Sequence, residues 1–204
     1  MKKNIACFCW TNLAIEYNEE IDIDNNPQAL SEIFSGNFMS YKCDFCGKIH
    51  KPELKIMIVW NSKNLKMEVY PELDRGEFYR NKTEKPSIET VIGFPEMTDR
   101  LSVINDDLEP VVIETIKSYL LEKAAENYPD KDVNAWYHRK SDSSIEFHLT
   151  GIKYDEVALM KIPSELYGKI LNDYSNHPKN GLFPSLRVRS YLSVQNLLRP
   201  DSLK

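Results

Sequence analysis

The chain has 204 residues, 42% of them apolar, with 11 Tyr, 8 Phe and 3 Trp, and a net charge of −5. That much apolar and aromatic surface excludes a disordered polypeptide, and the acidic balance disfavours an obligate binder of nucleic acid or anionic membrane. Met1-Lys2-Lys3-Asn4-Ile5 is not followed by the apolar stretch of a secretion signal, and no apolar run approaches the roughly 20 residues of a membrane span. A cytoplasmic, reducing setting is therefore expected, in which the sequon Asn81-Lys82-Thr83 is a coincidence of composition.

In chain order, Leu13, Ile15, Tyr17, Ile21 and Ile23 alternate as in one half-buried strand. Asn26-Pro27 opens a short helix whose apolar face is Ala29, Leu30, Ile33 and Phe34, and Gly36 closes it as a left-handed cap. Residues 38–42 read as a strand. Residues 56–60 read as a central strand, with 66–70 as its hairpin partner across Ser62-Lys63-Asn64. Residues 72–88 are charged and aperiodic and read as a linker.

Beyond the linker, 98–104 predicts a short helix. Leu108, Val111, Val112, Thr115, Ile116, Tyr119 and Leu120 then recur at the spacing of a long amphipathic helix over 108–127, ahead of Pro129. Asp106-Asp107 is positioned to cap it. Residues 133–140 and 144–151 pattern as a β-hairpin, 157–162 as a further strand, and Pro163 opens a helix reaching about Tyr174. The segment 190–198 is helix-like.

All four cysteines fall in two tight pairs, Cys7-Phe8-Cys9 and Cys43-Asp44-Phe45-Cys46-Gly47. A Cys-x-x-Cys turn followed by Gly is half of a zinc knuckle: the gap lets both sulfurs face one ion at about 2.3 Å, and Gly tolerates the backbone turn. Cys7 and Cys9 have one intervening residue, which in a strand points both side chains to the same face. The 33 residues between the pairs are enough chain to return and close a site of four thiolates, Cys7, Cys9, Cys43 and Cys46, on Zn2+. His50, separated from Cys46 by three residues, is a competing ligand that could replace Cys7 or Cys9. Unmetallated buried thiols or a disulfide formed on oxidation are the alternatives.

These residues resemble the CpXC family of bacterial and archaeal proteins, named for a Cys-Pro-x-Cys motif paired with a second two-cysteine motif. "ALSEIFSGNFMSYKCDFCGK" looks like the family's short helix, Gly, strand and second knuckle. "IMIVWNSKNLKMEVYPE" resembles its hairpin, and "DRLSVINDDLEPVVIETIKSYLLEKA" its helical part, so the likeness spans about residues 4–125. The first pair departs from the family pattern by lacking its proline and one residue, and Asp44 stands where proline is common in the second. The resemblance implies a zinc-ribbon-like module with an α/β remainder and no catalytic residues.

Other candidates are weaker. Asp22-x-Asp24-x-Asn26 begins like a calcium loop, but Pro27 and Ile33 stand where the loop needs Gly and Glu. His138 and His148 flank the hairpin and could face each other beside Asp142 or Glu146, although strand parity opposes it. Arg187, Arg189 and Arg199 with Tyr191 form a small basic, aromatic tail. No phosphate loop, nucleophile elbow or His-Glu-x-x-His motif occurs.

The expected fold is α+β: an N-terminal zinc-ribbon-like β module over 1–71, a linker over 72–88, and a mixed α/β portion over 89–204 with the long amphipathic helix. The expected function is a non-enzymatic structural zinc site serving protein–protein interaction, with no membrane and no small-molecule substrate. A thiol redox switch that releases zinc on oxidation is the alternative, and a nucleic-acid-binding ribbon a weaker one.

Overall fold

The computed structural model describes residues 1–81 and 87–198. The chain is mixed α+β and divides into two compact units, Met1–Thr98 and Asp99–Lys204.

The first unit opens with an antiparallel hairpin, β1 (Lys2–Ala6) and β2 (Asn12–Glu16), whose register runs from Lys2↔Glu16 to Ala6↔Asn12. Next come β3 (Glu20–Asp22), α1 (Pro27–Phe34) and a second hairpin, β4 (Tyr41–Lys42) with β5 (Ile49–His50). Then follow β6 (Ile56–Trp60), β7 (Leu65–Tyr70), α2 (Arg75–Arg80), β8 (Glu89–Ile92) and α3 (Phe94–Asn105), the last carrying the boundary between the units. Strands β8, β7, β6 and β3 lie side by side in that order. β6 and β7 pair antiparallel across a left-handed Asn64, while β3–β6 and β7–β8 pair in parallel. Parallel neighbours need a crossover, and β3 reaches β6 only through α1 and the second hairpin. Ile58, Met67 and Val69 are fully buried, as the alternation of β6 and β7 requires.

Several sequence expectations change here. The alternation over 13–23 is two strands in different sheets: β2 belongs to the first hairpin, and Glu19 C=O already accepts from Met57 N–H at 2.7 Å. Only Tyr41–Lys42 of 38–42 is strand, because Met39 turns left-handed at φ 49° and tucks Phe38 and Met39 inward as a buried corner. Residues 72–80 form a 3-10 turn and α2, while 82–86 of the expected linker, with the last two sequon residues, lie outside the described residues. β8 has no polar alternation because Thr90, Val91 and Ile92 are all buried. α3 begins four residues before Thr98: Pro95 suits a first turn, and Glu53 caps it by accepting from Phe94 N–H at 2.8 Å.

The second unit contains α4 (Pro110–Asn127), the antiparallel meander β9 (Asn134–Lys140), β10 (Ser144–Thr150) and β11 (Ala158–Pro163), α5 (Ser164–Asn176), the small hairpin β12 (Arg187–Val188) and β13 (Tyr191–Leu192), and α6 (Gln195–Leu198). Val112, Ile113 and Ile116 of α4 lie in one apolar cluster with Ile145, Phe147 and Leu149 of β10. Glu109, not Asp106-Asp107, caps α4 by accepting from Val111 N–H, and Asp106 instead accepts the Tyr137 hydroxyl. The helix-like tail is a hairpin followed by a single turn of helix.

Among the described residues, five charged side chains are buried in this unit, Glu146 on β10 and a quartet of Asp99, Arg100, Glu114 and Lys117. Lys117 Nζ donates to Asp99 and, at 2.8 Å, to Glu114. Asp99 also accepts from Tyr137 N–H, Glu114 accepts from Val194 N–H at 2.7 Å, and Arg100 donates to Leu192 C=O at 2.8 Å. Asp99, Glu114 and Arg100 thus each fix a backbone group, while Lys117 joins the two carboxylates. Burial raises the Asp99 carboxyl above its ordinary range despite Lys117 beside it.

Candidate metal centre

The first cysteine pair sits in the turn joining β1 and β2, the second in the turn joining β4 and β5. Both turns use one hydrogen-bond scheme. In the second, Cys43 N–H donates to Lys48 C=O and Gly47 N–H to Cys43 C=O, each at 2.8 Å, with Gly47 left-handed at φ 73°. In the first, Cys7 N–H donates to Thr11 C=O and Trp10 N–H to Cys7 C=O, each at 2.9 Å, with Trp10 left-handed at φ 67°. The first turn is the second with one residue removed, and Trp10 occupies the position that Gly47 fills. Cys7 and Cys9 therefore converge through a turn, not by sharing a strand face.

The four sulfurs lie within 4.8 Å of one another, with Cys7 and Cys46 3.5 Å apart and Cys9 and Cys43 3.8 Å apart. A tetrahedron with arms of about 2.3 Å has edges of about 3.8 Å, so the spacing fits one four-coordinate ion held by thiolates. An all-sulfur donor set suits a soft or borderline cation and excludes calcium or magnesium. Cys7 and Cys43 are buried, Cys9 is half-buried and Cys46 is exposed.

The sulfurs share their protons unequally. The Thr11 hydroxyl and backbone N–H, with Cys7 adding to them, hold Cys9 down at about 6. Cys7 is pushed up to about 12: the Cys9 backbone N–H lowers it, but burial and the three neighbouring sulfurs raise it more. Loading a metal must displace the protons these thiols retain, which makes binding pH-dependent. His50 Nε2 lies 3.1 Å from Cys7 Sγ, and its ring stacks on Phe8 at 5.3 Å between centroids. His50 is thus in contact with one sulfur of the cluster rather than a solvated loop side chain.

The remaining sequence candidates disperse. Asp22 binds Asn25, and Asp24 binds Ser62, as turn and loop anchors. His138 and His148 do meet, stacked at 3.9 Å, because a register shift between Glu146 and Phe147 makes His138 a bulge residue and reverses its face. Burial, with His138 beside it, pushes His148 below its ordinary range. Glu146 is committed elsewhere: Arg139 at 2.7 Å and Lys161 at 3.0 Å hold it down at about 2. Tyr191 is fully buried and offers no stacking face, and Arg199 lies outside the described residues. Among the described residues, only the four cysteines gather as a group of three or more potential ligands.

The profile of the family described as CpXC protein matches residues 5–117. The chain belongs to the CpXC family. The match takes in both cysteine pairs and runs into α4. A Treponema pallidum (strain Nichols) protein described as uncharacterized is 28% identical over 214 residues, covering 95% of this chain and 97% of that protein. This CpXC chain matches no solved structure. Among the described residues, no helix is long and apolar enough to cross a membrane.

One feature escaped the sequence reading. Phe8, Trp10 and Phe45, on the cysteine turns themselves, are 77%, 93% and 79% exposed. The signal was present in "CFCW", where an aromatic residue follows a pair one residue too short for the usual knuckle.

Proposed function

We propose that this CpXC protein holds one zinc ion on Cys7, Cys9, Cys43 and Cys46 in a reducing compartment, as a structural and non-enzymatic centre. The observation that carries this is the set of sulfur separations, which match a tetrahedral thiolate shell. Four thiolates leave no open coordination position for water or substrate, so the ion acts by fixing two turns. Those turns present Phe8, Trp10 and Phe45 to solvent, and Trp10 does so in a left-handed conformation that costs an L-residue about 1–2 kcal/mol. Exposed aromatics on a rigid base are the residues that dominate protein interfaces, and a protein partner is the role we assign them. The metal content of protein purified without chelator tests the centre. One zinc per chain with a four-sulfur cobalt spectrum is expected, lost in Cys43→Ser and Cys46→Ser. Well under one metal per chain, or a labile water ligand on cobalt, overturns the proposal.

A redox switch is favoured by one observation: the exposed Cys46 lies 3.5 Å from Cys7. Peroxide would oxidise these two thiols to a disulfide, itself reduced to water, and release the ion. Retention of zinc at full peroxide challenge rejects that reading.

A further inference from the structure

His50 ends the hairpin that carries the second cysteine pair, opposite Tyr41 in the β4–β5 register, yet its ring reaches the first pair. Nε2 lies 3.1 Å from Cys7 Sγ, and the imidazole stacks on Phe8, the residue between Cys7 and Cys9, with the ring planes 26° apart. It meets the cluster from outside, since the four sulfurs alone make up the mutually close ligand set. Sulfurs 3.5 and 3.8 Å apart already supply the edges of a tetrahedron, so the ring has no corner to fill.

A metal-bound thiolate has no proton to give and only accepts. The ring nitrogen facing such a Cys7 must therefore carry hydrogen, and the contact becomes Nε2–H donating to Sγ. Cys9 has a matching neighbour in the Thr11 hydroxyl at 3.4 Å. Among the described residues, Cys43 and Cys46 bond through their side chains only to sulfurs of the first pair. Side-chain donors thus gather on the shorter turn. Donation to a bound sulfur draws off electron density, which tunes its hold on the ion and weakens it as a nucleophile. This matters most at Cys7, the buried sulfur 3.5 Å from the exposed Cys46.

Building on the zinc reading of the centre, we propose that His50 is its positioning residue: it donates Nε2–H to the Cys7 thiolate from outside the coordination shell and holds that sulfur on the ion when peroxide reaches Cys46. Oxidation runs in two steps. The Cys46 thiolate attacks one peroxide oxygen, the O–O bond breaks, and hydroxide leaves a sulfenic acid on Cys46. The Cys7 thiolate then attacks the Cys46 sulfur, the S–S bond forms, the S–O bond breaks, and a second hydroxide leaves. The two thiolates have lost two electrons and peroxide has gained them. The hydrogen bond from His50 opposes the second step, so it slows the release of zinc.

The test compares the full chain with two variants, each loaded with zinc and with cobalt. His50→Phe keeps a flat ring against Phe8 but has no N–H, whereas His50→Gln returns an N–H donor near the place of Nε2. All three should show a four-sulfur cobalt spectrum. In His50→Phe the thiolate-to-cobalt charge-transfer band should move to longer wavelength, zinc should bind about tenfold or more weakly in competition with a chelator, and peroxide should release it faster. His50→Gln should return all three readouts toward wild type, which a purely structural role for the ring does not explain. A wild-type spectrum of three sulfurs and one nitrogen makes His50 a ligand and overturns the proposal. So does a His50→Phe protein equal to wild type in band, affinity and release, or a loss that His50→Gln does not restore. A wild type that takes up no stoichiometric metal overturns the zinc reading itself, and this inference with it.

Discussion

Lys117→Met removes one charge from the buried quartet while keeping most of the side-chain stem. Glu114 would keep Arg100, at 3.7 Å, and Val194 N–H, whereas Asp99 would keep only Tyr137 N–H. The cost therefore falls on Asp99. Breaking a buried ion pair costs about 3–5 kcal/mol, but the carboxyl can escape by taking a proton. From an unfolded value of about 3.9, holding that proton costs about 1.4 kcal/mol per pH unit, or about 1.5 kcal/mol at pH 5. At pH 8 the same proton would cost about 5.6 kcal/mol, so the ion-pair penalty of about 3–5 kcal/mol sets the limit there. In the variant the folded state binds a proton that the unfolded chain releases, so stability falls as pH rises above about 4. Wild-type Asp99 already leans this way, since burial raises it even with Lys117 present. Urea unfolding of both proteins at pH 5 and pH 8 measures the difference, and Asp99→Asn in the Lys117→Met background should remove the pH dependence. A loss below about 1 kcal/mol, or one equal at the two pH values, would refute the assignment of the cost to Asp99.

Gly151→Ala should destabilise by about 2–4 kcal/mol, because Gly151 is left-handed at φ 91° and a Cβ would sit 1.9 Å from Asp132 C=O; a melting temperature within a degree of wild type would contradict this. Trp10→Gly should leave the zinc-loaded melting temperature unchanged or raised. It relieves about 1–2 kcal/mol of left-handed strain against about 0.5–1 kcal/mol of added chain freedom, and a side chain 93% exposed loses little burial. A drop of several degrees would mean that Trp10 packs on its own turn.

The fold class and the cysteine set were legible because each rests on local pattern. α4 announced itself through i, i+3, i+4 spacing, the β6–β7 hairpin through alternation around a turn, and the four thiols through their pairing. What escaped depends on tertiary partners. β8 is buried on all sides and lost the alternation that marks a strand. The 13–23 run kept its alternation but changed sheets at Tyr17–Glu19, which period two cannot reveal. The stacking of His138 on His148 turns on a one-residue bulge, and parity arguments fail wherever a bulge intervenes. Glu53 capping α3 from 41 residues away, and Glu109 displacing Asp106-Asp107 at α4, show that caps chosen by proximity yield to those chosen by geometry.

Helix α4 changes character along its length. Val111 through Lys117 are seven consecutive buried residues, enclosed on every side, whereas Glu122, Lys123 and Ala125–Asn127 face water. One continuous hydrogen-bonded element therefore spans the whole range of opening free energies. Amides in its last turn can exchange by fraying, but those of its first two full turns are released only when the surrounding apolar cluster comes apart. Deuterium uptake along this single helix becomes a ruler for the second unit. Its slow end reports global unfolding, its fast end local motion, and the position where one gives way to the other marks the rim of the core.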